Sequence, residues 1–302
     1  MNKPTKLGGV AVPLVTPITT DGQLDVAALD RLIEFQIAGG VQGLLLLGTT
    51  GEGPCVPRAL RRPLVERAIN TARQRARVYV NVAENSLADT LLDAQEYFAL
   101  GVDAIAALPP FYFPPRPKEL TTWYRSLLDA SPGPVLMYNI PMTTRVSVPL
   151  EVIGELIGHP RFVGLKDSEN DAQRHETLLN RFGGRPDFSI FVGVGSLMAK
   201  GLRSGADGIV PSVGNLIPEV CQRQVFAAQT KDWAAVDACA ARQTEVASLY
   251  QKGRTLAQSL ATLKGLLYLR RLCLPTVFPP LLPIEAAEME ALSGEMLELR
   301  LA

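Results

Sequence analysis

The sequence predicts an α/β fold, a closed (β/α)8 TIM barrel that carries a C-terminal extension of three helices. The first observation is that short apolar runs alternate with amphipathic helical patterns along roughly the first two thirds of the chain. The second is that eight such runs can be found, the number of strands that closes this barrel. The third is that several runs, such as Leu44–Leu47, are apolar without interruption, which is typical of parallel strands covered by helices.

The eight apolar runs define the strands. They are Gly9–Leu14, Gly43–Gly48, Val78–Val82, Ala104–Leu108, Val135–Tyr138, Phe162–Lys166, Ser189–Gly193 and Gly208–Pro211. Three junctions that precede a strand, Gly40–Leu44, Gly101–Ile105 and Gly205–Ile209, each run from a glycine through a polar turn into apolar residues. This recurrence favours repeated βα units with right-handed crossovers. A doubly wound open sheet is the alternative, but the first βα loop lacks the GxGxxG that such sheets often use.

Helix ends can be assigned from capping residues. Asp25 is the expected N-cap of a helix that stops at Gly39, and Ser86 begins another that stops at Gly101. Pro63 interrupts a helical pattern, so that helix is expected either to start there or to be kinked.

Three further helices are expected after the last strand, at Trp233–Leu249, Gln258–Leu272 and Ile284–Leu301. We expect a barrel catalytic domain over residues 1–225 and packed C-terminal helices over residues 226–302, together forming one structural unit. No linker rich in glycine, serine or charge marks a border. A small separate helical domain is the alternative.

Composition excludes several classes of function. The chain has 302 residues, with 30 Lys and Arg against 30 Asp and Glu, and a pI of about 6.8, so no nucleic-acid partner is expected. The arginines between positions 58 and 77 are expected to form a solvated helix face. No apolar stretch reaches the ~18 residues of a membrane span, and no signal peptide is recognisable. We expect a cytoplasmic protein with no membrane partner.

Cysteine and histidine are scarce. Four cysteines lie far apart without a CxxC pair, and the two histidines, His159 and His175, are expected on the surface. A disulfide framework is therefore not expected, and neither is a zinc or other metal site.

Lys166 is the sharpest candidate for chemistry, because it ends an apolar strand and should face the barrel mouth, where barrels of this type carry out catalysis. Two interpretations stay open on position alone: a structural ion pair, or a Schiff-base nucleophile that reacts as a desolvated neutral amine. Tyr138 ends the preceding strand and should lie within reach of Lys166. A tyrosine there can cap the core or relay protons.

Two loops at the same end of the barrel also attract attention. Gly48–Gly51 offers hydroxyls and backbone N–H groups that could bind a carboxylate or phosphate, although a plain turn explains the same residues. Pro109–Pro117 is rich in proline and aromatic residues. It is expected to hold aromatics over the barrel mouth. The alternative is a polyproline-II ligand on an adaptor protein, which would leave the segment exposed and disordered.

These segments together resemble the dihydrodipicolinate synthase / N-acetylneuraminate lyase family of Schiff-base aldolases. The resemblance covers nearly the whole chain in order. The segments that carry it are Leu14-Val15-Thr16-Pro17, Gly48-Thr49-Thr50-Gly51-Glu52, Pro110-Phe111-Tyr112, Tyr138-Asn139-Ile140-Pro141, Gly164-Leu165-Lys166-Asp167, Gly205-Ala206-Asp207-Gly208 and Pro280-Leu281-Leu282-Pro283. The family is built on the (β/α)8 barrel, which the resemblance favours over the open sheet.

The resemblance implies a mechanism and a set of site residues. Lys166 would form a covalent imine with pyruvate or another 2-keto acid, so that no metal or organic cofactor is needed. Tyr138 would relay protons through Thr49 to Tyr112 of a neighbouring subunit, which implies a homo-oligomer, a dimer of dimers in the tetrameric members. The substrate-binding residues implied are Thr50, Thr143, Ser168, Gly193 and Val210.

Departures from the family pattern bear on the substrate. Family members that condense pyruvate with aspartate semialdehyde carry an arginine where this chain has Thr143, and sialic-acid lyases carry an acidic pair where it has Gly195-Ser196. Thr143 and Ser168 more nearly resemble members acting on 2-keto-3-deoxy sugar acids. We therefore expect a lyase that cleaves or dehydrates such an acid. The alternatives are the aspartate semialdehyde condensation and a non-catalytic keto-acid binder.

Overall fold

The strands of the computed structural model, which describes residues 6–301, close into one parallel barrel. They are β1 (Gly9–Pro13), β2 (Gly43–Leu46), β3 (Arg77–Val82), β4 (Ala104–Ala107), β5 (Val135–Asn139), β6 (Phe162–Asp167), β7 (Ser189–Val192) and β8 (Gly208–Ile209). Each strand pairs with the next in sequence, and β8 returns to β1 through the pair Gly9 and Gly208. The predicted TIM barrel is confirmed, with every strand within a few residues of its predicted limits.

Helices follow the strands on the outside of the barrel. They are α1 (Val26–Ala38), α2 (Arg58–Ala72), α3 (Leu87–Leu100), α4 (Pro117–Ala130), α5 (Pro141–Thr144), α6 (Leu150–Leu156), α7 (Ala172–Phe182), α8 (Gly195–Arg203) and α9 (Pro218–Gln229). The C-terminal helices are α10 (Trp233–Gln251), α11 (Leu256–Leu269) and α12 (Ala286–Glu298). The predicted three-helix extension is therefore present.

Capping residues set the helix ends as the sequence predicts. The Asp25 side chain accepts a hydrogen bond from the amide of Ala28 at the start of α1, and Ser86 accepts one from Asp89 at the start of α3. Gly101 ends α3 in the left-handed region at φ 99°, where glycine carries no steric penalty. The expectation that a helix starts at Pro63 is wrong, because α2 already begins at Arg58 and continues through the proline.

Two apolar clusters lie on the two sides of the strands. The inner cluster fills the barrel and includes Ala11, Leu45, Tyr79, Leu136 and Phe191. The outer cluster lies between the strands and the helices, and it extends into α11 and α12 through residues 263, 266, 292 and 296. The extension therefore shares a core with the barrel. The division at residue 225 stays a prediction, and that border falls within α9.

The arginine-rich helix α2 is neutralised by acids on neighbouring elements. The ion pairs are Arg58–Asp93, Arg61–Glu84, Arg62–Glu96, Arg67–Asp30 and Arg75–Glu34, the last two lying against α1. Such pairing offsets the positive charge of these five arginines. None of the helices in residues 6–301 has the length and apolar character to cross a membrane.

Candidate active site

Lys166 and Tyr138 lie side by side at the mouth of the barrel. They are register partners on β6 and β5, so both side chains point inward. Both are buried, and Lys166 Nζ lies 3.7 Å from the centroid of the Tyr138 ring. Within residues 6–301, Lys166 makes no ion pair with a carboxylate, and its described contact is with the electron-rich ring face. The structural ion pair that the sequence left open is therefore absent from the described residues, and the reactivity of the amine stays a prediction.

The Gly48–Gly51 loop, which follows β2, reaches Tyr138 from the other side of the barrel. The hydroxyl oxygen of Thr49 lies 3.3 Å from the hydroxyl oxygen of Tyr138, and either can donate. Thr50 is buried beside it. Gly51 is held from the opposite side, where its carbonyl accepts a 2.6 Å hydrogen bond from the Thr16 hydroxyl. The structure therefore places Lys166, Tyr138 and Thr49 in one cluster.

The barrel interior beneath Lys166 is apolar and nearly full. A void of about 10 Å³ lies there, lined by Leu45, Tyr79, Phe191 and Val210 among others. Burial raises the pKa of Tyr79 to about 12, so its phenol stays protonated near neutral pH. Val210, one of the predicted substrate-binding residues, is thus part of the apolar floor under the lysine.

Ser168 and Gly193 meet at the ends of β6 and β7. The amide of Gly193 donates a 2.7 Å hydrogen bond to the carbonyl of Asp167. A Cβ atom at Gly193 would come within 2.0 Å of the Ser168 hydroxyl oxygen, so only glycine fits there. These two predicted substrate-binding residues are therefore in mutual contact, next to the strand that carries Lys166.

Two predicted site residues lie away from the buried cluster. Thr143 is exposed on α5, where its hydroxyl donates to the carbonyl of Ile140 at 3.2 Å. Tyr112 is 75% exposed in the loop after β4, where its ring packs edge-on against Phe113. The side chain of Asn85 fixes that loop by accepting hydrogen bonds of 2.8 Å from the amides of Phe111 and Tyr112. The loop is thus ordered, as the barrel-mouth interpretation expects, and its two aromatic tips are exposed in the single chain.

A buried polar network behind the strand ends escaped the sequence analysis. Asp167 and Asn139 follow Lys166 and Tyr138, so the strand alternation turns them outward. Asn139 Nδ2 donates 3.0 Å hydrogen bonds to the carboxylates of Asp167 and Glu169. Arg174 Nε lies 2.9 Å from Asp167 and 3.1 Å from Glu169. This network ties β5 to β6 directly beside Lys166 and Tyr138.

The expectation that His175 lies on the surface is wrong. It is buried on α7, with Nε2 3.0 Å from the carbonyl oxygen of Glu169. The helix buries His175, Leu178, Leu179 and Phe182, which recur at the spacing of one helix face. That spacing was readable in the sequence and predicts the burial.

A larger groove opens next to the cluster. It measures about 440 Å³ and begins at Gly193 and Pro211, directly after β7 and β8, with α10 as its far wall. Its polar side chains are mainly neutral hydroxyl and amide groups. They are Ser196, Ser212, Gln243, Thr244, Ser248, Tyr250, Gln251 and Lys252. Because no carboxylate lines this groove, its wall suits a ligand with several hydroxyl groups.

Cysteine chemistry has no support in the described residues. Burial raises the pKa of the Cys221 thiol well above its usual range and that of Cys273 to about 12. Buried protonated thiols are poor nucleophiles. Residues 6–301 also contain no cluster of three or more His, Cys, Asp or Glu side chains arranged to hold a metal ion.

Comparisons with known proteins agree with this geometry. A model of the dihydrodipicolinate synthetase family matches residues 6–298. The chain belongs to this family. A 4-hydroxy-tetrahydrodipicolinate synthase of Phenylobacterium zucineum is 34% identical over 226 residues, which are 75% of this chain and 76% of the relative. Members of the dihydrodipicolinate synthetase family are lyases of the class I aldolase type, and this protein is such a lyase.

Solved structures of the dihydrodipicolinate synthetase family superpose closely. The dihydrodipicolinate synthase of Bacteroides thetaiotaomicron has a TM-score of 0.92 and 32% identity, with 99% of this chain and 100% of that chain covered. An Escherichia coli prophage protein in complex with pyruvate has a TM-score of 0.91, with 98% and 99% covered. At 23% identity, the second likeness supports the fold alone.

Proposed function

We propose that the protein cleaves or dehydrates a 2-keto-3-deoxy sugar acid through a lysine imine on Lys166. The observation that carries the substrate class is the groove of about 440 Å³ that begins at the ends of β7 and β8. Its neutral hydroxyl and amide side chains suit the hydroxylated tail of a sugar acid. Membership of the dihydrodipicolinate synthetase family supports the imine chemistry and pyruvate as the reacting fragment.

In the proposed reaction, the neutral amine of Lys166 adds to the C2 carbonyl of the keto acid, and the carbonyl oxygen leaves as water. The resulting imine accepts the electron pair when the C3–C4 bond breaks, which gives an enamine and an aldehyde. In cleavage the C4 hydroxyl loses its proton as the aldehyde forms, and the enamine then takes up a proton at C3. In dehydration a proton leaves C3 to give an enamine, whose electron pair expels the protonated C4 hydroxyl as water and leaves a conjugated imine. In both cases water hydrolyses the imine, which releases the keto acid and returns the lysine. No metal or organic cofactor enters these steps.

The other clustered residues have assigned roles in this proposal. Tyr138 moves the proton to and from the reacting oxygens, with Thr49 as its hydrogen-bond partner at 3.3 Å. Thr49, Thr50 and the backbone amides of their loop hold the keto-acid carboxylate through fixed dipoles. Ser168, Gly193 and Val210 shape the pocket, and the family resemblance assigns Thr143 to the substrate tail, although Thr143 does not line the groove described above. Tyr112 acts across a subunit contact in a homo-oligomer, a dimer of dimers, because its own chain leaves it exposed.

A second candidate function is the condensation of pyruvate with aspartate semialdehyde. It is favoured by the names of relatives such as the synthases of Phenylobacterium zucineum and Bacteroides thetaiotaomicron. Against it stands Thr143, the position where the family resemblance implies an arginine in members that use aspartate semialdehyde. Threonine cannot replace the bidentate guanidinium contact. Arg145 lies close by in sequence but is exposed, at the C-terminal end of α5.

The test has two stages. Intact-mass spectrometry after pyruvate and borohydride should show one stable adduct on the wild type and none on Lys166→Ala. Absence of the adduct on folded wild-type protein would contradict the imine and favour a non-catalytic binder. The value of kcat/KM is then compared between aspartate semialdehyde and a panel of 2-keto-3-deoxy sugar acids. The proposal fails if aspartate semialdehyde matches or exceeds every sugar acid.

A positive charge placed at Thr143 tests whether this residue contacts the sugar acid. We expect Thr143→Arg to lower kcat/KM for the sugar acid, because the guanidinium replaces a hydroxyl partner at the substrate tail. Met142→Arg is the matched control, since the neighbouring Met142 is 60% exposed on the same short helix. Equal effects of the two substitutions would show that Thr143 does not contact the substrate.

A further inference from the structure

A buried ion pair connects the Thr49–Thr50 loop to the C-terminal helices. Here the Thr49–Thr50 loop means the Gly48–Gly51 loop described above, and Glu52 follows it directly. Lys264 lies in the middle of α11, far away in the sequence. Lys264 Nζ lies 2.5 Å from Glu52 Oε1, and each side chain is only 1% exposed. Two charges removed from water at this depth need close compensation, so their contact fixes the distance between the loop and the helix.

Backbone groups complete the compensation of this pair. The second carboxylate oxygen of Glu52 accepts a 2.7 Å hydrogen bond from the amide of Phe278. Lys264 donates a 2.8 Å hydrogen bond to the carbonyl of Thr276. Both partners belong to the segment that follows α11. The C-terminal extension therefore supplies two contacts to the Glu52 carboxylate, and a third contact within the extension holds Lys264 in place.

The backbone at Glu52 adapts to this arrangement. Glu52 adopts φ 55°, in the left-handed region that side chains other than glycine rarely occupy. Its amide donates a 3.1 Å hydrogen bond to the carbonyl of Thr49, which closes the turn. The next residue must be glycine, because a Cβ atom at Gly53 would lie 1.7 Å from the carbonyl oxygen of Leu47. The buried carboxylate of Glu52 is thus attached to the same tight turn that carries Thr49.

We propose that Glu52 and Lys264 are positioning residues, through which the C-terminal extension holds the Thr49–Thr50 loop ready for the keto-acid carboxylate. This inference rests on the proposed keto-acid function. Neither residue touches the reacting atoms: Glu52 acts through the turn it closes, and Lys264 acts through Glu52. The C-terminal helices are then part of the substrate-binding apparatus, although none of their residues belongs to the Lys166–Tyr138–Thr49 cluster.

A merely structural ion pair would affect stability alone, so the test measures pyruvate binding. The rate of imine trapping by borohydride is recorded against pyruvate concentration for wild type and the double variant Glu52→Gln/Lys264→Met. The double variant removes both charges together and leaves no buried charge uncompensated. We expect the half-saturating pyruvate concentration to rise about tenfold. The limiting rate should change less than about threefold, because Lys166 and Tyr138 are untouched.

Glu288→Gln is the matched control. It makes the same isosteric change in the Arg254–Glu288 ion pair, which has a separation of 2.7 Å and joins two parts of the extension without reaching the loop. We expect its half-saturating pyruvate concentration to stay within about twofold of wild type. An equal rise in this control would assign the effect to general loosening of the extension and overturn the inference.

Glu52→Asp provides a second variant that keeps both charges. Shortening the side chain by one methylene withdraws the carboxylate from the amide of Phe278, so we expect a smaller rise in the half-saturating pyruvate concentration. The inference is overturned if this variant, or the folded double variant, keeps the wild-type value. If wild type itself forms no adduct, the proposed imine function fails instead, and the two failures are thereby distinguished.

Discussion

The molecule contains two buried lysines in opposite electrostatic surroundings. Lys166 lies at the mouth of the barrel, 3.7 Å from the face of the Tyr138 ring, and makes no ion pair with a carboxylate in residues 6–301. Lys264 lies on α11, 2.5 Å from the carboxylate of Glu52 and 2.8 Å from a backbone carbonyl. The Lys166 amine contacts an aromatic face in apolar surroundings, and the Lys264 amine contacts a carboxylate and a backbone carbonyl.

The difference shows that burial alone does not identify a reactive lysine. A carboxylate at ion-pair distance stabilises the charged ammonium form of a lysine and accepts hydrogen bonds from it, so such a lysine serves a structural role. A lysine without such a partner can give up its proton and attack a carbonyl. In our proposals, one residue type therefore serves covalent chemistry at the strand ends and positioning at the junction with the extension.

The largest expected effect comes from Lys166→Met. Removing the amine removes the imine, so we expect kcat/KM to fall by a factor on the order of 10⁴ or more. The free energy of unfolding, measured in urea, should stay within about 1 kcal/mol of wild type or rise, because no buried partner loses its charge. A large loss of stability would place Lys166 with Lys264, as a structural lysine.

The next effect tests the partner of Lys166. Tyr138→Phe keeps the ring under the amine and removes only the hydroxyl, so we expect kcat to fall by about 10²- to 10⁴-fold with the fold intact. Tyr124→Phe is the matched control, because Tyr124 is also buried and its hydroxyl donates to the carbonyl of Ala107 at 3.2 Å. A similar loss of kcat in both variants would contradict proton transfer by Tyr138.

The third effect concerns stability at the other lysine. Lys264→Met leaves the Glu52 carboxylate buried without its cation, and we expect the free energy of unfolding to fall by about 3–5 kcal/mol. Adding Glu52→Gln to this variant should recover most of that loss, since the uncompensated charge disappears. Urea unfolding of the two variants checks this. A Lys264→Met protein as stable as wild type would show that the two lysines do not differ as described.

The sequence predicted the first lysine far better than the second. Lys166 and Tyr138 end neighbouring apolar strands, and adjacency of strands follows from the order of βα units, so their contact could be expected. Glu52 was noticed only as the end of a loop motif. Its pairing with Lys264 joins a barrel loop to a helix of the extension, and a single sequence carries no local pattern for such a contact.

Other features also could be predicted where they depend on neighbouring residues in the sequence, and could not where they depend on distant ones. The caps at Asp25 and Ser86 are local and were predicted, whereas α2 begins at Arg58, earlier than expected, and continues through Pro63. Asn139 and Asp167 were passed over, since strand alternation turns them away from the site they support. Tyr112 is exposed in the single chain, and its action across a subunit contact stays a prediction.

The smallest expected effect on stability is at the solvent-accessible Asp30–Arg67 ion pair, which serves as a reference for the buried Glu52–Lys264 pair. Asp30 accepts a 2.8 Å hydrogen bond from Arg67 Nε and another from Thr71. The Arg67 guanidinium holds the pKa of Asp30 below its usual range, despite partial desolvation. Solvent screens this pair, so we expect Asp30→Asn to lower the free energy of unfolding at pH 7 by only about 0.2–1 kcal/mol.

The sign of the pH dependence at Asp30 follows from its lowered pKa. The unfolded chain takes up the proton first, near pH ~4, so the contribution of Asp30 is fully present above that pH. It is lost as the pH falls through the lower value in the folded protein. The stability difference between wild type and Asp30→Asn, measured by urea unfolding, should therefore shrink below pH ~4 and in ~1 M salt. A difference as large as that of Lys264→Met, or one that grows in acid, would show that exposure does not separate the two ion pairs.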